Sequence, residues 1–209
     1  MSPIPFVEIA RCVATDAFRA DPSIIHPVLD IVTNAPGALS VAFAVEVHDP
    51  KYLYLVVVWE TLKHHHDLMS QPDYAQLQAK FGTSASSMEY LHHVQFNAEP
   101  YTALNAPLTE FGLWTLHEDT NKEAFQKKLE RLSALVDGLP AESGVYRGGW
   151  GVVAEDERQF RMITGWENME IFDRVVAANH DGMALVQELK ALADLDVKHV
   201  IISKYSGSK

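Results

Sequence analysis

The 209-residue sequence has a single cysteine, Cys12, so it can close no internal disulfide and build no cysteine-based zinc site. Basic residues are also scarce. Seventeen Lys and Arg stand against 28 Asp and Glu, a formal net charge of -11 with histidine neutral. Such a chain offers no stripe to neutralise phosphates, which excludes nucleic acid and anionic membrane surfaces as expected partners. The longest apolar run, residues 53–59, is far too short to span a bilayer. The first six residues carry neither a basic segment nor an apolar core, and the last four read as a polar tail. A soluble cytoplasmic protein is expected. No Gly-x-Gly-x-x-Gly or Walker spacing occurs, no Gly-x-Ser-x-Gly elbow and no His-Glu-x-x-His. Nucleotide, nicotinamide and flavin cofactors are therefore not indicated, and the expected cofactor list is none. Nine Phe, seven Tyr and four Trp exclude disorder. What the chain has in excess is histidine, ten in all.

The chain repeats itself once. A run ending in Trp59 and Glu60 matches one ending in Trp166 and Glu167, at an offset of 107 residues. Upstream of each lies a hairpin-like pair of runs, residues 38–48 with 51–60 and residues 144–153 with 158–167, joined by short polar turns. A helix precedes each pair. In the second copy Thr120 and Glu123 read as a capping box, Phe125, Leu129, Leu132 and Val136 follow helical spacing, and Gly138 ends the run. In the first copy Asp21 and Pro22 start a helix that Pro27 interrupts, so a short or kinked helix ending near Asn34 is expected. Strands at residues 5–13 and 109–117 come first. After each Trp-Glu pair, Thr61 and Asn168 are candidate helix caps. Tyr74, Leu77 and Phe81, and then Leu185, Leu189 and Leu192, mark a further helix in each copy. Strands at residues 88–96 and 197–203 close the copies.

Each copy thus has the order β-α-β-β-α-β, the ferredoxin-like arrangement. The expected fold class is α+β, with two tandem ferredoxin-like units, residues 1–98 and 108–209, joined by a linker at 99–107. A four-stranded sheet covered by helices on one face leaves the other bare, so the two copies are expected to pack sheet to sheet.

Val56, Val57, Val58, Trp59 and Glu60, and likewise Ile163, Thr164, Gly165, Trp166 and Glu167, are each followed by an amphipathic helix and a short polar break. On these features the chain resembles the dimeric α/β-barrel superfamily, and within it the antibiotic-biosynthesis-monooxygenase-like (ABM-like) type. The resemblance implies two fused units mimicking a homodimer, present as a monomeric pseudo-dimer or as a homodimer. It also implies a ligand cavity between helices and sheet. The superfamily holds cofactor-independent quinone-forming oxygenases, polyketide cyclases, haem-degrading monooxygenases and stress-responsive proteins, so fold alone does not fix function.

The histidines divide by position. His64, His65 and His66 are consecutive, and helical neighbours point about 100° apart, so one ion cannot take all three. No metal is expected. Across the offset His65 falls opposite Phe172, on an apolar face, where it is either a core-edge histidine or a pocket acid/base. His64 and His66 are expected in solvent. By the resemblance His180, at the break before the last helix, is a candidate general base, with Asp181 to orient it. Tyr74 stands at the matching break of the first copy. His92, His93 and His199 lie on the closing strands, and alternation sends His92 and His93 to opposite faces. Either can be the partner of His199 in the repeat. His26, His48 and His117 are expected at the surface. Trp59 and Trp166 are core or ligand-lining. In the haem-degrading relatives an axial histidine follows the break, but Gln78 and Leu185 stand near that place here, which argues against haem.

The site list is therefore His180, His65 and Tyr74 as catalytic groups, with Trp59, Trp166, His93 and His199 as ligand-lining groups. The expected activity is a cofactor-independent monooxygenase or cyclase, in which histidine removes a proton from a small apolar carbonyl or phenolic, polyketide-like molecule. A non-catalytic ligand-binding or stress-responsive protein is the alternative, and haem handling a second one.

Overall fold

The computed structural model describes residues 4–207. The expected absence of a leader and the expected polar tail therefore fall partly outside the described residues. Two compact units divide the chain. One runs through Gln95 and takes in the strand end from Ile201, and the other is Phe96–Val200.

In the first unit β1 (Phe6–Ala14) leads into α1 (Asp16–Ala20), a single 3-10 turn at Pro22–Ile25, and α2 (His26–Thr33). Pro27 does not interrupt a helix, as expected above, but sits in the first turn of a new one. There its missing N–H costs nothing. Then come β2 (Ala38–Glu46), β3 (Tyr52–Trp59), α3 (Leu62–Met69), α4 (Tyr74–Phe81) and β4 (Ala85–Gln95). β1 pairs antiparallel with both β3 and β4, and β2 pairs with β3, giving the order β2-β3-β1-β4.

The second unit repeats this after a short α5 (Tyr101–Leu104). Its elements are β5 (Leu108–Leu116), α6 (Lys122–Asp137), β6 (Val145–Val153), β7 (Asp156–Trp166), α7 (Met169–Ala178), α8 (His180–Lys190) and β8 (Ala193–Tyr205). β5 pairs with β7 and β8, and β6 with β7, so the order is again ferredoxin-like. The cap of α6 is Asn121, which accepts from the Ala124 N–H at 2.9 Å, one residue later than the expected capping box. Thr120 instead donates to the Leu192 carbonyl at 2.6 Å. Thr61 and Asn168 cap α3 and α7 as their positions predict.

In each unit the helices cover one face of the sheet. Cys12, Leu55, Val57 and Trp59 meet Val28, Leu29 and Val32 of α2 in the first. Trp114, Phe160 and Met162 meet Phe125, Leu129, Leu185 and Leu189 in the second. Burial comes first in raising the Cys12 thiol to about 12, and the charges of Glu89 and Glu8 add to it. The folded protein keeps a proton there that the unfolded chain releases above pH 9. That contribution to stability is full below pH 9 and is lost as pH rises through about 12. The expected result is no reaction of the folded protein with a thiol reagent at pH 8, and full reaction in denaturant. Rapid labelling of the native protein would contradict this burial.

Gly37 and Gly144 stand 107 residues apart, both with φ of 79°. Their carbonyls accept from the N–H groups of Glu60 and Glu167, each at 2.8 Å, where β3 and β7 give way to helix. A Cβ at Gly37 would lie 2.2 Å from Cγ of His64. His64 is thus half-buried over this glycine rather than in solvent. Gly37→Ala is expected to cost about 2 kcal/mol, from the left-handed backbone alone, and more from the displaced imidazole. Denaturant unfolding would show it as a lower midpoint at unchanged slope.

Candidate functional site

The site grows out of strand register. β1 and β4 pair so that Glu8 lies opposite His93, and β1 and β3 pair so that Trp59 ends its strand beside Phe6. The Thr61 cap starts α3 immediately after Trp59, and its fourth residue, His65, turns back onto the sheet. The four side chains Glu8, Trp59, His65 and His93 meet there, each at most 3% exposed. Trp59 Nε1 donates to Glu8 Oε2 at 2.7 Å. His65 Nδ1 lies 2.6 Å from His93 Nε2 and 3.2 Å from Glu8 Oε2. His93 Nε2 lies 3.9 Å from the same carboxylate oxygen. The His65 ring stacks on Trp59, with planes 5° apart and centroids at 5.1 Å.

A charged group so buried must be paired. Here one carboxylate faces two imidazoles and an indole N–H. Glu8 fixes the imidazole pair by the same logic that orients a catalytic histidine through a carboxylate. Glu8, Trp59 and His65 form one wall of a cavity of about 160 Å³ between α2, α3, α4 and the sheet. Val28, Val32, Leu55, Leu77 and Phe81 are among the apolar residues that complete the lining. Tyr74, from the first turn of α4, also lines it. Burial, and then the charge of Glu8, raises the Tyr74 hydroxyl above its ordinary value, so it stays a neutral hydrogen-bond donor. Gln78 lines the same cavity, and Leu185 is buried in the core of the second unit. Neither residue is a haem axial ligand.

The second unit holds the counterpart with one residue changed. Glu110 pairs with His199 in register, as Glu8 does with His93, and the two side chains lie 3.3 Å apart. This settles which histidine matches His199. Phe172 takes the place of His65, edge-on to Trp166 with centroids at 5.1 Å, and 4.5 Å from His199. Trp166 Nε1 has no hydrogen-bond partner among the described residues. A larger cavity of about 300 Å³ adjoins them, lined by Glu110, Trp114, Thr164, Trp166, Phe172 and Asn179 among others.

Of the residues singled out by sequence, the structure brings His65, His93, Trp59 and Tyr74 together. His199 and Trp166 meet in the second unit. His180 is exposed at the first position of α8 and lines neither cavity. Its neighbour Asn179 caps that helix, accepting from the Gly182 N–H at 2.9 Å. His92 turns to the opposite sheet face and stacks on Tyr90, with centroids at 4.5 Å. His48, His66 and His117 are exposed, whereas His26 is half-buried against Tyr205. Glu8 is the residue sequence reading missed. Its signal is a lone carboxylate inside an apolar strand, repeated as Glu110 at the same place in the second copy. The donor atoms of Glu8, His65 and His93 lie within 4.8 Å of one another, a set that can hold a metal ion and that no sequence spacing announced.

No protein-family model and no curated protein matches the chain. Solved structures do. A candidate monooxygenase from Fusobacterium nucleatum subsp. nucleatum ATCC 25586 superposes with a TM-score of 0.71 at 10% identity, covering 100% of this chain and 98% of its own. An anthrone oxidase-like protein gives 0.71 at 12% identity, over 99% and 94%. A candidate monooxygenase from Lactobacillus acidophilus NCFM gives 0.65 at 12%, over 95% and 94%. At these identities the likeness is one of fold. The chain has the α+β fold of these proteins, with two tandem ferredoxin-like units. Among the described residues no helix is long and apolar enough to cross a membrane.

Proposed function

We propose that the chain is a cofactor-independent enzyme that removes a proton from a small apolar carbonyl or phenolic molecule in the cavity of the first unit. The observation that carries this reading is the His65 imidazole, buried at the wall of an apolar cavity with Nδ1 turned to His93 and Glu8. Proton exchange with the ligand then falls to Nε2. The carboxylate stabilises the imidazolium that forms, and the apolar walls exclude water from the charge that develops. Tyr74 donates a hydrogen bond to the oxygen of the resulting enolate or phenolate. That electron-rich species reacts with dioxygen in the oxygenase outcome, or with a carbonyl of its own in the cyclase outcome. The fold neighbours named as monooxygenases and as anthrone oxidase-like favour the first. The second cavity, with phenylalanine in place of the base, suits binding without turnover. A cytoplasmic location belongs to this reading, since a lone cysteine needs no partner there.

The test is oxidation of anthrone by chelator-treated protein, followed as dioxygen uptake and anthraquinone formation, with a panel of smaller phenols and tetralones beside it. Turnover that needs dioxygen and disappears in His65→Phe is expected. Equal rates in the two proteins would sink the mechanism. Added hemin is expected to give no shifted Soret band, and a saturable shift would reopen the haem reading.

A further inference from the structure

The geometry points to a divalent transition-metal site made by Glu8, His65 and His93, one that competes with proton transfer by the same side chains. Two imidazole nitrogens and one carboxylate oxygen are the donor set that zinc and its first-row neighbours take in proteins. The three atoms are spaced 2.6, 3.2 and 3.9 Å apart. A circle through them has a radius of about 2.0 Å, so an ion slightly above their plane lies within 2.0–2.2 Å of all three, the bonding distance for such donors. All three residues are buried, and they come from three separate elements, so the set is preformed by the fold. Trp59 holds the carboxylate through Nε1, the outer support that metal-binding carboxylates usually have. Two of the three ligands, Glu8 and His65, also line the cavity. A dication also offsets the buried carboxylate charge.

The second unit is a built-in control. Glu110 and His199 repeat two of the donors, but Phe172 removes the third. One ion per chain is therefore expected, not two. An occupied site leaves His65 unable to accept a proton, so the metal acts as an inhibitor. This inference uses the catalytic side chains but does not depend on their catalysing anything.

The experiment uses the full chain, stripped with chelator and titrated with Zn2+. Calorimetry reads affinity, and elemental analysis after dialysis reads stoichiometry. One zinc per chain is expected. Affinity should fall at least tenfold in His65→Phe and in Glu8→Gln, and stay unchanged in His48→Ala at an exposed turn. Circular dichroism checks that each variant is folded. Glu8→Gln, close in shape to the native side chain, serves if His65→Phe does not fold. No retained zinc, or equal retention in the folded variants, overturns the proposal. Zinc binding without any turnover by the stripped protein would leave this site standing and remove the catalytic reading. Turnover without zinc binding would do the reverse.

Discussion

His65→Phe is expected to lower turnover by about 10²–10⁴-fold, the usual contribution of a positioned general base. The substitution is conservative in the sense that matters for folding. Phe172 already occupies the equivalent place in the second unit, packed edge-on to Trp166 with centroids at 5.1 Å. Phenylalanine at position 65 can therefore pack against Trp59 while losing both ring nitrogens. Glu8 keeps the Trp59 Nε1–H as its hydrogen-bond donor at 2.7 Å, with His93 3.9 Å away. Ligand affinity should change little, because the ring remains an apolar wall. The expected signature is a loss in kcat with KM nearly constant. A matching rise in KM with kcat intact would mean that His65 binds the ligand without acting on its proton. His180→Ala is expected to change neither constant, because its side chain is exposed and lines neither cavity.

Trp59→Ala carries the largest expected loss of stability. Trp59 is fully buried in the core of the first unit. Removing its indole empties a large volume, which costs about 3–5 kcal/mol. The loss of the Nε1–H donor to Glu8 Oε2 adds about 1–3 kcal/mol, because a buried carboxylate is left short of a partner. Trp59→Phe separates the two contributions, since it keeps most of the ring and removes only the donor. Trp166→Phe is the reference, because the Nε1 of Trp166 has no hydrogen-bond partner among the described residues. Trp59→Phe should therefore destabilise more than Trp166→Phe, as read from calorimetric unfolding of each variant. Equal losses would mean that the indole–carboxylate bond contributes nothing net.

The fold was legible because it is written twice. Trp59 and Trp166 mark the same strand end in both copies. Alternation and helical spacing place the elements around them. Local competition blurred the rest. Pro27 reads as a helix breaker but serves as a first-turn residue, and two neighbouring polar residues, Thr120 and Asn121, competed for one cap. The site was legible only in part. His65, Tyr74 and Trp59 stood out by residue type and repeat position. Glu8 did not, because a single carboxylate in a strand is ordinary until register sets it against His93. His180 drew attention through resemblance to a family element, yet its place at the head of α8 turns it outward.

The substitution of His65 by Phe172 between copies has a genetic consequence. In an assembly of two identical chains every codon is expressed in both protomers, so a catalytic residue and its absence cannot coexist. Here the two copies share one reading frame, and a mutation falls on one copy alone. Selection can then act on the first unit and on the second without compromise between them. The same freedom is open to the protein engineer: Phe172→His would give the second unit the carboxylate and imidazole pair of the first while leaving the original untouched.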